Sequence, residues 1–337
     1  MKTYLIKRLL LIIPTLIGIT IISFIIIRLA PGDPAEMRAR AGQHLSSDGK
    51  DAINKEIIEA TRRLYHLDKP IPVQYINWVK RIATFNFGES FQDHRPVIEK
   101  IKERLPVTMK ISILSILIAY LVSIPLGIYS ATHQNAMGDR VSTFIIFMLY
   151  SLPSFWIATM AIVFLCGGDY LSIFPPGGIK SIMSDNWGIG RRFIDQAWHL
   201  ILPVACLTYG SFAFLSRQMR SGMLEVIRQD YIRTARAKGL SEKLVVFKHA
   251  LRNSVIPILT LMANILPLLI GGSVIIETIF SIPGMGRMGF NAILYRDYPV
   301  IMAIFTISAF LTLVGFLLSD ILYALVDPRI GFAKRNE

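Results

Sequence analysis

Gly284-Met-Gly286-Arg-Met-Gly289 has the G-x-G-x-x-G spacing that lets a glycine-rich turn cradle a dinucleotide pyrophosphate. That chemistry needs a preceding strand, a following helix and an acidic residue about 20 positions on. Here the glycines follow a long apolar run, so they are expected to form a flexible outer loop. No Gly-x-x-x-x-Gly-Lys-Ser/Thr loop occurs, so if ATP drives this protein another subunit binds it. His44, His66, His94, His133, His199 and His249 are scattered, with no His-Glu-x-x-His pair and no Cys/His cluster. Cys166 and Cys206 have neither metal spacing nor a disulfide framework and are expected to be small apolar fillers. A Gly-x-Ser-x-Gly nucleophile elbow is also missing. The residue types thus point away from an enzyme, and no cofactor or metal is expected.

A different kind of work is written into Asp230-Tyr-Ile-Arg233-Thr234-Ala235-Arg236-Ala237-Lys238-Gly239-Leu240. This basic stretch lies between two apolar runs. Ala235 and Ala237 are small enough for another protein to approach the backbone, and Gly239 fits the left-handed position after a helix end. Arg217–Asn253 is expected to form two helices broken at Gly239. The first runs through Met223, Leu224, Val226, Ile227 and Tyr231, and the second is capped by Ser241. A positive loop lying on lipid headgroups would explain the charge. It would not explain two helices, an alanine-rich turn and a glycine break. A docking element accounts for all of them.

The elements that position this loop are membrane spans. Of 337 residues 53% are hydrophobic and 18% charged, against about 25% charged in soluble proteins. Leu9–Ile27 carries no charge over 19 residues, about 28 Å of helix, enough for a hydrocarbon core of about 30 Å. Five further spans are predicted at Val107–Ala131, Val141–Cys166, His199–Ser216, Ser254–Ile276 and Pro299–Leu325. Pro14, Pro125, Pro153, Pro203, Pro257 and Pro267 kink spans, which packed neighbours tolerate.

The inner segments hold 16 basic residues and the two shorter outer loops five, which places both termini in the cytoplasm. The net charge of +13 follows from this orientation signal and from anionic headgroups, with no need for nucleic acid. The first apolar run exceeds a signal-peptide core, and Arg28-Leu-Ala-Pro-Gly-Asp-Pro34 is a poor cleavage site, so a retained anchor is expected. Outside, Ala30–Pro106 is expected to hold a helix after Lys50, a short amphipathic helix marked by Tyr75, Ile76, Trp78, Val79 and Ile82, a turn at Asn86–Ser90, and a helix from Pro96 to Leu105. Ionisable or polar groups in or near the spans are few: Arg28 and Glu277 near outer ends, Asp320 near an inner end, and Asn264 mid-span. With no carboxylate near the midplane, a proton-coupled transporter is disfavoured.

The chain resembles the permease subunit of bacterial dipeptide and oligopeptide ABC importers over essentially its whole length. The resemblance is carried by Arg28-Leu-Ala-Pro-Gly-Asp-Pro34, Phe87-Gly-Glu-Ser90, Arg95-Pro-Val, Arg104-Leu-Pro-Val-Thr108, Tyr231–Leu240, Phe280-Ser-Ile-Pro-Gly-Met-Gly286, Arg296-Asp-Tyr-Pro299 and Asp320-Ile-Leu-Tyr-Ala-Leu-Val-Asp-Pro-Arg329. The wider importer family has a cytoplasmic Glu-Ala-Ala followed three residues later by Gly. Aligned on Gly239, Arg233 takes the glutamate position, and Thr234 and Ala235 take the alanine positions. The resemblance implies a bacterial inner-membrane permease without catalysis of its own. Its partners would be a second, similar permease, two ATP-binding subunits and an extracytoplasmic solute-binding protein delivering peptide. Nickel, glutathione and peptide-antibiotic importers are similar, and the long outer segment points toward the oligopeptide or peptide-antibiotic branch. The expected organisation is all-α and polytopic with six spans. An anchor helix plus outer segment occupies 1–105, a five-helix core with coupling loop 217–253 occupies 106–326, and a cytoplasmic tail occupies 327–337. The rivals are an ion-coupled secondary transporter, active without ATPase partners, and a membrane anchor or receptor, which moves no substrate.

Overall fold

The computed structural model describes residues 2–29, 58–60, 62, 68–167, 170–261, 269 and 271–326. Asn264, most of 30–67 and the tail 327–337 lie outside the described residues, as do the side chains of Arg28 and Asp320; of the helix expected after Lys50, residues 58–60 and 62 are described and are helical. Among the described residues there is no strand, only an isolated bridge between Glu89 and Pro96.

The first helix, α1 (Lys2–Leu29), runs through Pro14 and leaves most of its apolar side chains exposed. The amphipathic helix α2 (Ile71–Ala83) lies on it, with Phe24 packed against Tyr75 and Trp78 at ring distances of 5.6 and 5.7 Å and Thr20 bonded to the Tyr75 hydroxyl at 2.9 Å. The helix expected over 96–105 and the span expected from Val107 are one element, α3 (Val97–Thr132). Pro106 and Pro125 sit inside it without ending it. Its 36 residues make about 54 Å, longer than a bilayer core.

The span expected over Val141–Cys166 is not a straight crossing. It is α4 (Met137–Ser151) and α5 (Ser154–Ala161), the latter extended by a π-turn over Ile162–Cys166, with an 89° bend between the two arms. The cause is local. Pro153 drives the residue before it out of helical geometry, and Leu152 is extended at φ −87°, ψ 127°. Helix α6 (Ile189–Ile227) is also longer than the expected His199–Ser216. It runs unbroken through Pro203 and carries the first eleven residues of the expected inner loop as helix.

Helices α3 and α6 form the central pair. They approach closely at Gly127, where an added Cβ would lie 2.5 Å from the Cβ of Met219. Small residues allow such contacts between membrane helices. The chain continues through α7 (Asp230–Ala237), a return arm over 242–254, α8 (Ile256–Leu261), α9 (Val274–Ile279), α10 (Met285–Leu294) and α11 (Tyr298–Val326). Among the described residues four helices, α1, α3, α6 and α11, are long and apolar enough to cross a membrane, and the bent pair adds a fifth if it counts as one span. The remaining expected span, Ser254–Ile276, falls partly outside the described residues.

Candidate docking surface and central cleft

Helix α7 is the short surface helix in the basic segment. The sequence placed the helix break only at Gly239, but α6 already ends at Ile227, and Gln229 starts a new helix in extended geometry at ψ 149°. The end of α7 is a Schellman turn. The Gly239 amide donates to the Arg236 carbonyl at 2.9 Å and the Leu240 amide to the Ala235 carbonyl at 3.4 Å. Gly239 has φ +77°, as its expected role requires, and no atom lies within 4 Å of a Cβ there, so conformation rather than space selects glycine. Ser241 occupies the cap position of the return arm, but its side chain makes no capping bond.

The α7 face that points inward is apolar. Ile232 and Ala235 are buried in one cluster with Met219 and Met223 of α6, Val245, Val246 and Ala250 of the return arm, and Ile128 of α3. This corrects the sequence reading of Ala235 as a surface contact. Ala235 packs inside this chain, one helical turn from Ile232, because α7 needs an apolar face to hold it on its base. Ala237, Arg233, Thr234, Arg236 and Lys238 are exposed and form the outward face. The clamp tightens at Gly222, where a Cβ would meet the Ser254 carbonyl oxygen at 2.8 Å.

Polar bonds fix the rim. Arg236 donates to Glu242 from Nε at 3.1 Å and from Nη2 at 2.5 Å, bridging the glycine turn. The Arg236 bond holds the Glu242 carboxyl below the usual glutamate range. Asn253 donates to the Tyr231 hydroxyl at 2.8 Å, tying the start of α7 to the end of the return arm. Among the described residues Arg233 pairs with Asp230, at 3.4 Å, and both are exposed.

On the α3–α6 pair a cleft of about 500 Å³ is lined by Ser112, Ser115 and Tyr120 of α3, Gly210 and Ser211 of α6, and Ser273. Among the described residues no charged side chain lines it. Ser115 Oγ is buried without a hydrogen-bond partner among the described residues.

At the other end, motifs far apart in the sequence meet. Ser90 Oγ donates to Asp297 Oδ2 at 2.5 Å, the Phe91 amide to Asp297 Oδ1 at 3.0 Å, and Lys100 Nζ to Ser90 Oγ at 2.9 Å. Ser90, Lys100 and Asp297 are all buried. Lys100 also pairs with Asp93 at 2.9 Å. Burial pushes the Asp93 carboxyl up, but the bonds from Lys100 and Ser90 outweigh it and hold it below the ordinary range.

The glycine-rich segment expected to be a flexible loop is instead a cage. Gly284 precedes α10, Glu277 Oε1 accepts from Thr108 Oγ1 at 3.0 Å, and Oε2 accepts from the Arg287 amide at 2.8 Å. A Cβ on Gly284 would fall 2.3 Å from the Glu277 carboxyl carbon. The glycines therefore make room for a buried carboxylate, not for a nucleotide. Sequence reasoning named Glu277 but missed its burial. It quoted Asp297 only within the Arg296–Pro299 motif, without its pairing to Ser90, and did not single out Lys100, since nothing local marks groups whose partners lie elsewhere in the chain. Among the described residues no group of three or more His, Cys, Asp or Glu side chains could hold a metal ion.

These features define a class: a polytopic all-α membrane protein with a cleft between its central helices, lined by uncharged side chains among the described residues, and a short amphipathic surface helix at one end. Residues 123–332 match the family described as the binding-protein-dependent transport system inner membrane component, and residues 1–112 match its membrane-component N-terminal family. The chain belongs to this family, as an integral membrane component of a bacterial ABC transporter that works with ATP-binding and substrate-binding partners. It is 41% identical over 333 residues to the oligopeptide transport system permease protein AppB of Bacillus subtilis, covering 98% of this chain and 100% of the relative. It is 38% identical over 344 residues to the dipeptide transport system permease protein DppB of Alkalihalophilus pseudofirmus (98% and 100%), and 37% identical over 367 residues to the inner membrane ABC transporter permease protein YejB of Escherichia coli O157:H7 (99% and 100%).

Proposed function

We propose that this chain is one of two similar permease subunits of an ATP-driven importer, that the solute is a peptide, and that the outward face of α7 receives the motion of an ATP-binding subunit. The site residues are Arg233, Thr234, Arg236, Ala237 and Lys238 as the contact, Ala235 as the inward anchor, and Gly239 with Leu240 as the turn that sets its angle. The carrying observation is that α7 is apolar inside and polar outside, on a base shared by α3 and α6. A push on α7 therefore bears directly on the pair that walls the cleft. A cleft without charges suits solutes whose common feature is the peptide backbone and whose side chains vary. The names of the relatives, oligopeptide and dipeptide permeases, support the same solute class.

In this reading both termini and 217–253 face the cytoplasm. Residues 1–105 form an anchor with an outer segment, 106–326 the permease core, and 327–337 an inner tail. ATP hydrolysis belongs to the two partner subunits. Purified alone, the chain is expected to show no ATP hydrolysis above background. Reconstituted with a second permease, ATPases and the binding protein, it is expected to take up labelled peptide only with ATP. Robust hydrolysis by the isolated chain would sink the partner-ATPase reading. Uptake of nickel or glutathione with no uptake of peptide would replace the solute.

A further inference from the structure

A second pocket, of about 250 Å³, opens between α3, α4 and α6, away from the central cleft. Its polar side carries Ser130, Ser142, Arg217 and Arg220, and its apolar side Ile146 and Phe147. It sits where the apolar run His199–Ser216 gives way to the basic segment, the part of a span where basic residues meet lipid headgroups. Arg220 is oriented by Asp139, which accepts from its Nη2 at 3.2 Å. Asp139 also accepts from Ser130 Oγ and from the Asn135 amide at 3.1 Å, so its charge is already committed to its own shell. Arg220 Nε is buried and has no partner among the described residues. Arg217 is exposed, and no hydrogen bond or ion pair holds it among the described residues. Next to the pocket, α4 exposes Val141, Phe144, Ile145 and Met148. Two guanidinium groups with open donors beside an apolar helix face match a phosphate that carries acyl chains.

We propose that this pocket binds the phosphate of an anionic phospholipid, with Arg217 and the open side of Arg220 as donors and the acyl chains laid along α4. The site is separate from peptide transport and docking. Lipid retention is measured without substrate, so a failed uptake assay leaves it standing. Discs with the same lipid in both leaflets make the result independent of orientation.

The test uses the full-length chain in nanodiscs of phosphatidylcholine with or without phosphatidylglycerol, counting phosphatidylglycerol retained after delipidation by mass spectrometry. Arg217→Ala is expected to weaken retention about fivefold, the contribution of one basic residue near an anionic surface. Arg217→Lys is expected to lose less, and Lys243→Ala on the return arm nothing. Ser142→Phe fills the pocket without changing charge and is expected to match Arg217→Ala. Unchanged melting in pure phosphatidylcholine confirms that the variants fold. The proposal is overturned if Arg217→Ala and Ser142→Phe retain phosphatidylglycerol as well as the wild type. It is also overturned if Lys243→Ala loses as much, which would mean diffuse charge. It fails too if inorganic phosphate displaces the lipid as well as added phosphatidylglycerol does, which would mean a free-anion site.

Discussion

The two ends of this molecule are held together by opposite means. At the Ser90–Asp297 end, charged and polar side chains are buried and paired, and the partners come from segments 207 residues apart. Directly under α7, the packed cluster is apolar, the charges of α7 itself lie on the rim, and most of the cluster joins residues of 219–258. A buried polar network tolerates little displacement, because each broken bond leaves a desolvated group. An apolar base holds a helix firmly while permitting small rigid shifts. The contrast fits a protein with one end fixed and one end pushed.

The largest effect is expected from Asp297→Ala. It strands the Ser90 hydroxyl and the Phe91 amide, and the loss is put at about 3 kcal/mol, from about 1–3 kcal/mol per unsatisfied buried group. A thermal melt in detergent should show a large drop. An unchanged melting temperature would break the comparison at its fixed end. Next comes Gly222→Val, which drives a side chain against the Ser254 carbonyl at an expected loss of about 1–3 kcal/mol. Melting should fall, and hydrogen exchange should rise across both α7 and the return arm.

A paired experiment sharpens the inner end. Ala235→Trp overfills the base and is expected to lose about 1–3 kcal/mol of stability together with ATPase recovery. Ala237→Trp is exposed and should lose ATPase recovery with melting unchanged. If Ala237→Trp co-purifies with the ATPases and transports as the wild type does, the outward face is not the contact. Gly239→Val forces a β-branched residue into left-handed geometry, for about 1–2 kcal/mol. Insertion should survive, because no span changes, while uptake falls. Labelling of Ser241→Cys from outside intact cells should fail, and efficient labelling would reverse the orientation.

The smallest effect concerns pH. The Asp93 carboxyl is held below its ordinary value in the folded chain. A depressed carboxylate stabilises above its unfolded pKa and loses that contribution as pH falls through the folded value. The outer end should therefore loosen only below about pH 4, the ordinary aspartate range. Asp93→Asn should abolish that acid step in hydrogen exchange at 90–100 and leave α7 unaffected.

The apolar runs, the basic loop and the Gly239 turn were legible because each is a local property. Hydropathy reports burial in lipid, and positive φ selects glycine. The 89° bend was half legible: Pro153 was visible, but whether a proline kinks, breaks or is absorbed depends on its neighbours. Pro106, Pro125 and Pro203 are absorbed in α3 and α6. Ala235 was misread for a related reason. A small residue on an amphipathic helix looks the same whether the approaching surface belongs to another protein or to the chain's own return arm.

By itself, then, the sequence determined that this is an all-α membrane protein and where its apolar runs lie. Those conclusions rest on composition and period, which neighbours do not alter. Only the tertiary structure decided which face of α7 is free, that Glu277 fills a glycine cage, and that Asp297 answers Ser90. Each of these is a pairing between distant segments, and the hydrogen-bonding needs of a side chain do not say which segment will meet them.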